Sequence, residues 1–247
     1  MKKILLTAGA AVLVFLAVLI WQLPASWLRS YLPKQVVCAE LAGTAWNGQC
    51  VALVFNGQAI GDVTWDVSPL KALTGRVVGD VAVTRVNAAV TATLALAFSG
   101  DGELTNVKAR LPLEPGLAPG VPNNLSGEIT LDFQRIVMTQ RWPTELRGLA
   151  SARNLRRLDG GGFALGNYDL KFDGVAAVDG SHTGQLADRG GPLAVRGTIK
   201  LTREPGYEVT GTVAARAEAA ASVRRQLEFL GAPNARGERE FSVAGAL

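Results

Sequence analysis

The sequence predicts a mainly β chain: one N-terminal transmembrane helix, then a long curved antiparallel sheet with one C-terminal helix. Three observations carry that prediction. An uncharged apolar run opens the chain, apolar and polar residues alternate strictly through most of the remaining length, and short turn sequences separate the alternating runs.

The apolar run extends from Ile4 to Trp21 and reads ILLTAGAAVLVFLAVLIW, without charge or proline. It is close to the roughly 20 residues needed to cross a hydrocarbon core. Lys2 and Lys3 precede it and hold that end in the cytoplasm by the positive-inside rule. A cleavable signal peptide would need a small side chain where Leu23 stands, so the run is expected to stay as an anchor. Residues 1–3 are then a cytoplasmic tip, 4–22 the span, 23–34 an interfacial linker and 35–247 a β domain on the far side. Trp21, Trp27 and Tyr31 suit the headgroup level, where one edge of a ring meets lipid and the other water. Ser26 to Leu32 is expected to be a short helix on the membrane face, closed by Pro33.

Alternation defines the strands. Val63, Trp65 and Val67 share a face against Asp62, Thr64 and Asp66. Val90, Ala92, Leu94, Leu96 and Phe98 form a second such face, and Leu125, Ile129, Leu131 and Phe133 a third. Tyr168, Leu170 and Phe172, then Leu193, Val195, Ile199 and Leu201, continue the pattern. Period two means strands with one wet and one apolar side. The punctuation is short: Asn56-Gly57, Ser99 to Gly102, Asp159 to Gly162, Asp179-Gly180 and Glu204-Pro205-Gly206. Such turns join antiparallel neighbours, whereas parallel crossovers need a dozen residues or more. The result is a meander, closed as a barrel, stacked as a sandwich, or left as an open half-barrel or trough. Ala88, Ala92, Ala109, Ala150, Ala152 and Gly197 on the apolar side favour tight curvature.

Helical spacing returns from Ala217 to Leu230, where Val223, Leu227 and Leu230 recur. Gly231 and Pro233 end it, and a last strand runs from Glu238 to Leu247 with Phe241, Val243 and Leu247 on one face. A shorter helix fits Pro69 to Leu73. The proline-rich stretch from Pro112 to Pro122 is the best candidate for a boundary or crossover. Trp65-Pro69-Leu73-Gly75 and Trp142-Pro143-Leu146-Gly148 resemble each other loosely, a weak repeat.

Composition excludes several functions. Setting Lys2 and Lys3 aside leaves 23 basic residues against 21 acidic, too even for nucleic acid. No catalytic constellation is evident. The single histidine, His182, lies among Gly, Ser and Asp and is expected to be a solvated loop residue, and there is no G-x-S-x-G elbow. Carboxylates sit on wet strand faces, their ordinary place. No metal or cofactor is implied. Cys38 and Cys50 are the only cysteines; in an oxidising compartment they either pair or remain buried thiols, and pairing is favoured.

The segment from Leu23 to Gly48, LPASWLRSYLPKQVVCAELAGTAWNG, resembles the start of the type II secretion system protein N family. The resemblance rests on an apolar anchor, a Leu-Pro-rich linker, a strand, and a Gly-Thr-x-Trp-x-Gly signature, here Gly43, Thr44, Trp46 and Gly48. Trp65 with Pro69 and Leu70 is similar to the family's second tryptophan segment. The ending, LEFLGAPNARGEREFSVAGAL, is similar through Leu227, Leu230, Gly231, Gly237 and the closing strand. Cys38 and Cys50 are outside the family pattern. The resemblance implies a single-pass component of the bacterial inner membrane with a periplasmic β domain, contacting other secretion components and carrying no catalytic residue. The alternating sheet is also similar to AsmA-like envelope proteins, which implies a lipid-binding trough as the alternative. Burial preference places the Trp46 ring under the sheet edge rather than against a partner.

Overall fold

The computed structural model describes residue 15 and residues 18–72, 74–113, 123–159, 162–204 and 206–246. Most of the expected anchor, the tip at 1–3, Leu73, Leu247 and positions 114–122 of the proline-rich stretch lie outside the described residues. Residues 18–21 are helical, and among the described residues no helix is long and apolar enough to cross a membrane. The expected short helix is a 3-10 helix at Ala25–Ser30.

The chain divides into two compact units. The first takes the described residues up to Val86 together with Thr91–Ser99. It holds β1 (Val36–Val37), β2 (Glu40–Gly43), β3 (Asn47–Phe55), β4 (Gln58–Val67), helix α1 (Pro69–Ala72), β5 (Arg76–Arg85) and most of β6 (Ala88–Ala97). Their order is β1-β3-β4-β5-β6, with β2 also on β3. Val63 faces Val83 and Trp65 faces Val81, so the apolar side continues from strand to strand. Phe98 falls beyond β6 and is exposed.

The second unit takes Asn87–Val90 and Gly100 onward. It contains β7 (Gly102–Leu113), β8 (Leu125–Thr139), β9 (Trp142–Arg157), β10 (Phe163–Val175), β11 (His182–Asp188), β12 (Leu193–Thr202), β13 (Gly206–Ala215), helix α2 (Ala221–Glu228) and β14 (Arg239–Ala246). These strands succeed one another in chain order, and the pairings from β7 to β14 are antiparallel. In each unit the order is a linear path, so neither unit's part of the sheet closes on itself among the described residues. Pro112 lies inside β7 and the units part at β6, earlier than the proline-rich stretch. Pro69 opens α1 whereas Pro143 lies in β9, so the two tryptophan segments adopt different local structures.

Helix α2 is shorter than its spacing suggests. Val223 is buried against Leu193, Val195 and Val213, and Leu227 and Phe241 pack beside it. Leu230, expected on the same stripe, falls beyond the last turn and is exposed, as is Phe229. The chain turns away at Gly231, whose φ of 95° is open to glycine at no steric cost.

Away from α2, the sheet of the second unit covers its own apolar side. One row across the strands reads Val107, Phe133, Gly148, Phe172, Gly184. A Cβ on Gly148 would lie 2.6 Å from Phe133 Cγ, and one on Gly184 would lie 2.8 Å from Phe172 Cε1. Each ring therefore lies flat over the glycine of the next strand, and the two rings approach to 6.4 Å between centroids. The adjacent row, Ala109, Leu131, Ala150, Leu170, alternates small and large in the same way. Small residues thus make room for neighbouring side chains to lie down, which buries both Phe133 and Phe172.

Candidate functional site

Gly43, Thr44, Trp46 and Gly48 form the turn joining β2 to β3, and each has a separate geometric reason. Gly43 has φ 88°, and a Cβ there would come within 2.5 Å of the Asn47 carbonyl oxygen. Thr44 N–H donates to that same oxygen at 2.8 Å. Its Oγ1 accepts from Asn47 N–H at 3.0 Å and Trp46 N–H at 3.3 Å, which closes the turn locally. Gly48 stands opposite Trp65 in register, and a Cβ on it would meet Trp65 Cζ2 at 2.6 Å. The Trp65 ring lies over that glycine while its Nε1–H donates to the Ala45 carbonyl at 3.1 Å.

Trp46 is half-buried, and its polar edge is what the turn uses. Its Nε1–H donates to the Ile20 carbonyl at 2.7 Å. Ala45 N–H donates to the Leu23 carbonyl at 2.8 Å, and Pro24 bridges Thr44 in antiparallel sense. Ala25, the next residue, is buried. The signature turn therefore grips the main chain where the apolar run ends. Of the aromatics expected at a membrane surface, Trp21 is 60% exposed, Trp27 63% and Tyr31 84%.

A few residues on, Cys38 and Cys50 are joined by a disulfide, with Cα atoms 5.6 Å apart. Their position explains what it restrains. β1 and β2 both pair with β3, but the two strands are separated at Cys38 and Ala39, where Ala39 N–H donates to the Val51 carbonyl at 3.0 Å. β3 bulges at the same level: Ala52 has φ 50°, its N–H donates to Asp62 Oδ1 at 2.8 Å, and the register with β4 shifts between Cys50 and Leu53. The crosslink spans the weak point of this edge.

In the second unit, His182 corrects the expectation of a solvated loop. It opens β11, is 3% exposed, and its Nε2 lies 2.8 Å from the Pro143 carbonyl. Trp142 Nε1–H donates to the Gly180 carbonyl at 2.7 Å and Ala176 N–H to the Thr144 carbonyl at 3.0 Å. Together these bonds tie the β8–β9 turn to the β10–β11 loop. No short-range pattern marked His182 as structural, since its partner lies 39 residues away.

Two carboxylates also depart from the wet positions expected of them. Asp169 is buried and accepts from Ser151 Oγ at 2.7 Å, Arg153 Nη2 at 2.7 Å and Arg189 Nε at 2.5 Å. Burial pushes its pKa up, but the bonds from Ser151, Arg189 and Arg153 outweigh that and hold it below the usual carboxylate value. Asp188 is held down likewise: burial is outweighed by Arg216 and by the N–H groups of Gly190 and Val195. The Tyr168 hydroxyl is pushed up to about 12 by burial and by the Asp188 charge. Alternation alone does not distinguish a paired buried aspartate from an exposed one.

These groups are engaged in holding strands together: the Ser151 hydroxyl is spent donating to Asp169, and His182 lies against the Pro143 carbonyl. Among the described residues no group of three or more His, Cys, Asp or Glu side chains is placed to hold a metal ion. Neither the curated proteins nor the solved structures contain a match. The family model described as type II secretion system (T2SS), protein N, matches residues 34–242, a span that takes in the signature turn and nearly the whole sheet. The chain belongs to the type II secretion system protein N family.

Proposed function

We propose that this protein is a non-catalytic, inner-membrane-anchored component of the type II secretion pathway. Its N-terminus is cytoplasmic and its β domain, residues 35–247, contacts other parts of the apparatus in the periplasm during export of folded proteins. Membership of the family implies a part in type II secretion and contact with other components of it. The observation that carries the finer reading is the grip of the signature turn on residues 20–24. An apolar run leading into such a clasp is suited to hold a sheet at a set orientation above a membrane, where a flexible linker would let it swing. Trp46 acts in this reading as a brace, and the faces of the sheet remain for partners.

The test is the culture-supernatant proteome of a deletion strain, read with a dye assay of outer-membrane permeability. Exported enzymes accumulating in the periplasm behind an intact barrier support the secretion role. Normal export would overturn it.

One observation favours a second reading, a lipid-binding trough acting in envelope maintenance. Within each unit the strands follow a linear path that does not close, and no large side chain among the described residues is fully buried. An apolar side covered by a single layer of its own side chains offers an acyl chain a surface. Normal export with a leaking barrier, and lipid co-purifying with the protein, are the results expected of this reading; purification free of lipid counts against it.

A further inference from the structure

Between the 3-10 helix and the first strands lies a cavity of about 350 Å³ that the clasp does not use. Arg29 and Lys34 line it together with Leu32, Val36, Val37 and Leu41. Both cations are exposed and neither forms an ion pair among the described residues, whereas Arg110, Arg135, Arg153, Arg189 and Arg216 are each matched to a carboxylate. No carboxylate lines the cavity; Glu40, beside Leu41 in β2, is not part of its wall. The remaining wall is apolar, and Trp27 and Tyr31 stand exposed on the segment that forms its rim.

We propose that this cavity binds the headgroup of an anionic phospholipid, with the phosphodiester between Arg29 and Lys34 and the upper part of an acyl chain against Leu32, Val36 and Leu41. Charge complementarity selects an anion. The apolar wall selects one joined to hydrocarbon, because a free phosphate would leave that wall without a partner. Trp27 and Tyr31 place the same segment at headgroup depth. The site deepens the membrane-anchored reading and rests on it. Its consequence is that the orientation of the β domain depends on lipid composition as well as on the signature turn.

The experiment uses the full-length protein in nanodiscs holding equal amounts of phosphatidylglycerol and phosphatidylcholine, released and typed for retained lipid by native mass spectrometry. The expected result is a roughly tenfold preference for phosphatidylglycerol, as two cations at a charged surface allow, falling to parity in Arg29→Ala/Lys34→Ala. The variant should still fractionate with membranes after carbonate washing and unfold at the wild-type temperature. Parity in the wild-type protein, or a preference unchanged in the variant, would overturn the site while leaving the anchor intact. Inorganic phosphate binding at this site without any lipid preference would reassign the cations to a free anion and also overturn it. Release of wild-type protein by the carbonate wash would instead sink the anchored reading itself.

Discussion

Trp46 is the residue whose size suggested burial and whose polar edge turned out to matter. A half-buried indole contributes through its N–H as well as its area, and here the acceptor is the Ile20 carbonyl. Trp46→Phe keeps most of the ring and removes the donor. A loss of about 1 kcal/mol is expected, seen as a lower urea midpoint, with faster proteolysis between residues 20 and 34. An unchanged midpoint and digestion pattern would show that the bond does not brace the turn. Asp169 makes the same point about charge. Asp169 lies on β10 opposite Ser151 of β9, with Arg153 on that same strand, and its other partner, Arg189, is on the β11–β12 loop, so one carboxylate reinforces the backbone pairing on both sides of its strand.

Among the elements, β9 and the edge at β3 are the most exposed to perturbation. Gly148 is crowded by Phe133 and lies between two rings 6.4 Å apart. Gly148→Val would lift the Phe133 ring and leave it without cover, at a cost of about 2–3 kcal/mol by analogy with overpacked cores. The check is thermal unfolding monitored by tyrosine and tryptophan fluorescence, and an unshifted transition would mean the ring moves aside freely. At the other edge, the disulfide closes a separation of 12 residues. Replacing Cys38 and Cys50 together by alanine should lower stability by about 2–3 kcal/mol in the chain-entropy model. The loss should disappear when both proteins are compared under reducing conditions.

For the whole molecule, pH is the simplest lever. Asp169 and Asp188 have folded-state pKa values below their unfolded ones. Such groups contribute stability that is present above the unfolded carboxylate value, near 4, and is lost as pH falls through the lower folded value. The melting temperature should therefore hold steady down to about pH 5 and drop below pH 4. Asp169→Asn should melt lower at neutral pH and show a shallower acid decline, since one of the two groups no longer titrates. An identical acid profile for wild type and variant would remove Asp169 from this account.

The strands, their antiparallel order, the C-terminal helix and the family were all legible in the amino-acid order. Alternation and turn composition are local properties, and a meander pairs each strand with its chain neighbour, so little long-range information is required. Gly43 and Thr44 were visible as part of a motif for the same reason, since their constraints are met at Asn47, whereas the constraint on Gly48 comes from the Trp65 ring across the sheet. The remaining contacts exist only once the chain has folded. That Trp46 holds Ile20, that His182 holds Pro143 and that Asp169 collects two arginines depends on groups 16 to 39 positions apart. The ring-over-glycine rows needed the register, because a shift of one residue would send every Phe and its facing glycine to opposite faces. A side chain's alternation tells which way it points, and only its neighbours across the sheet tell what it meets there.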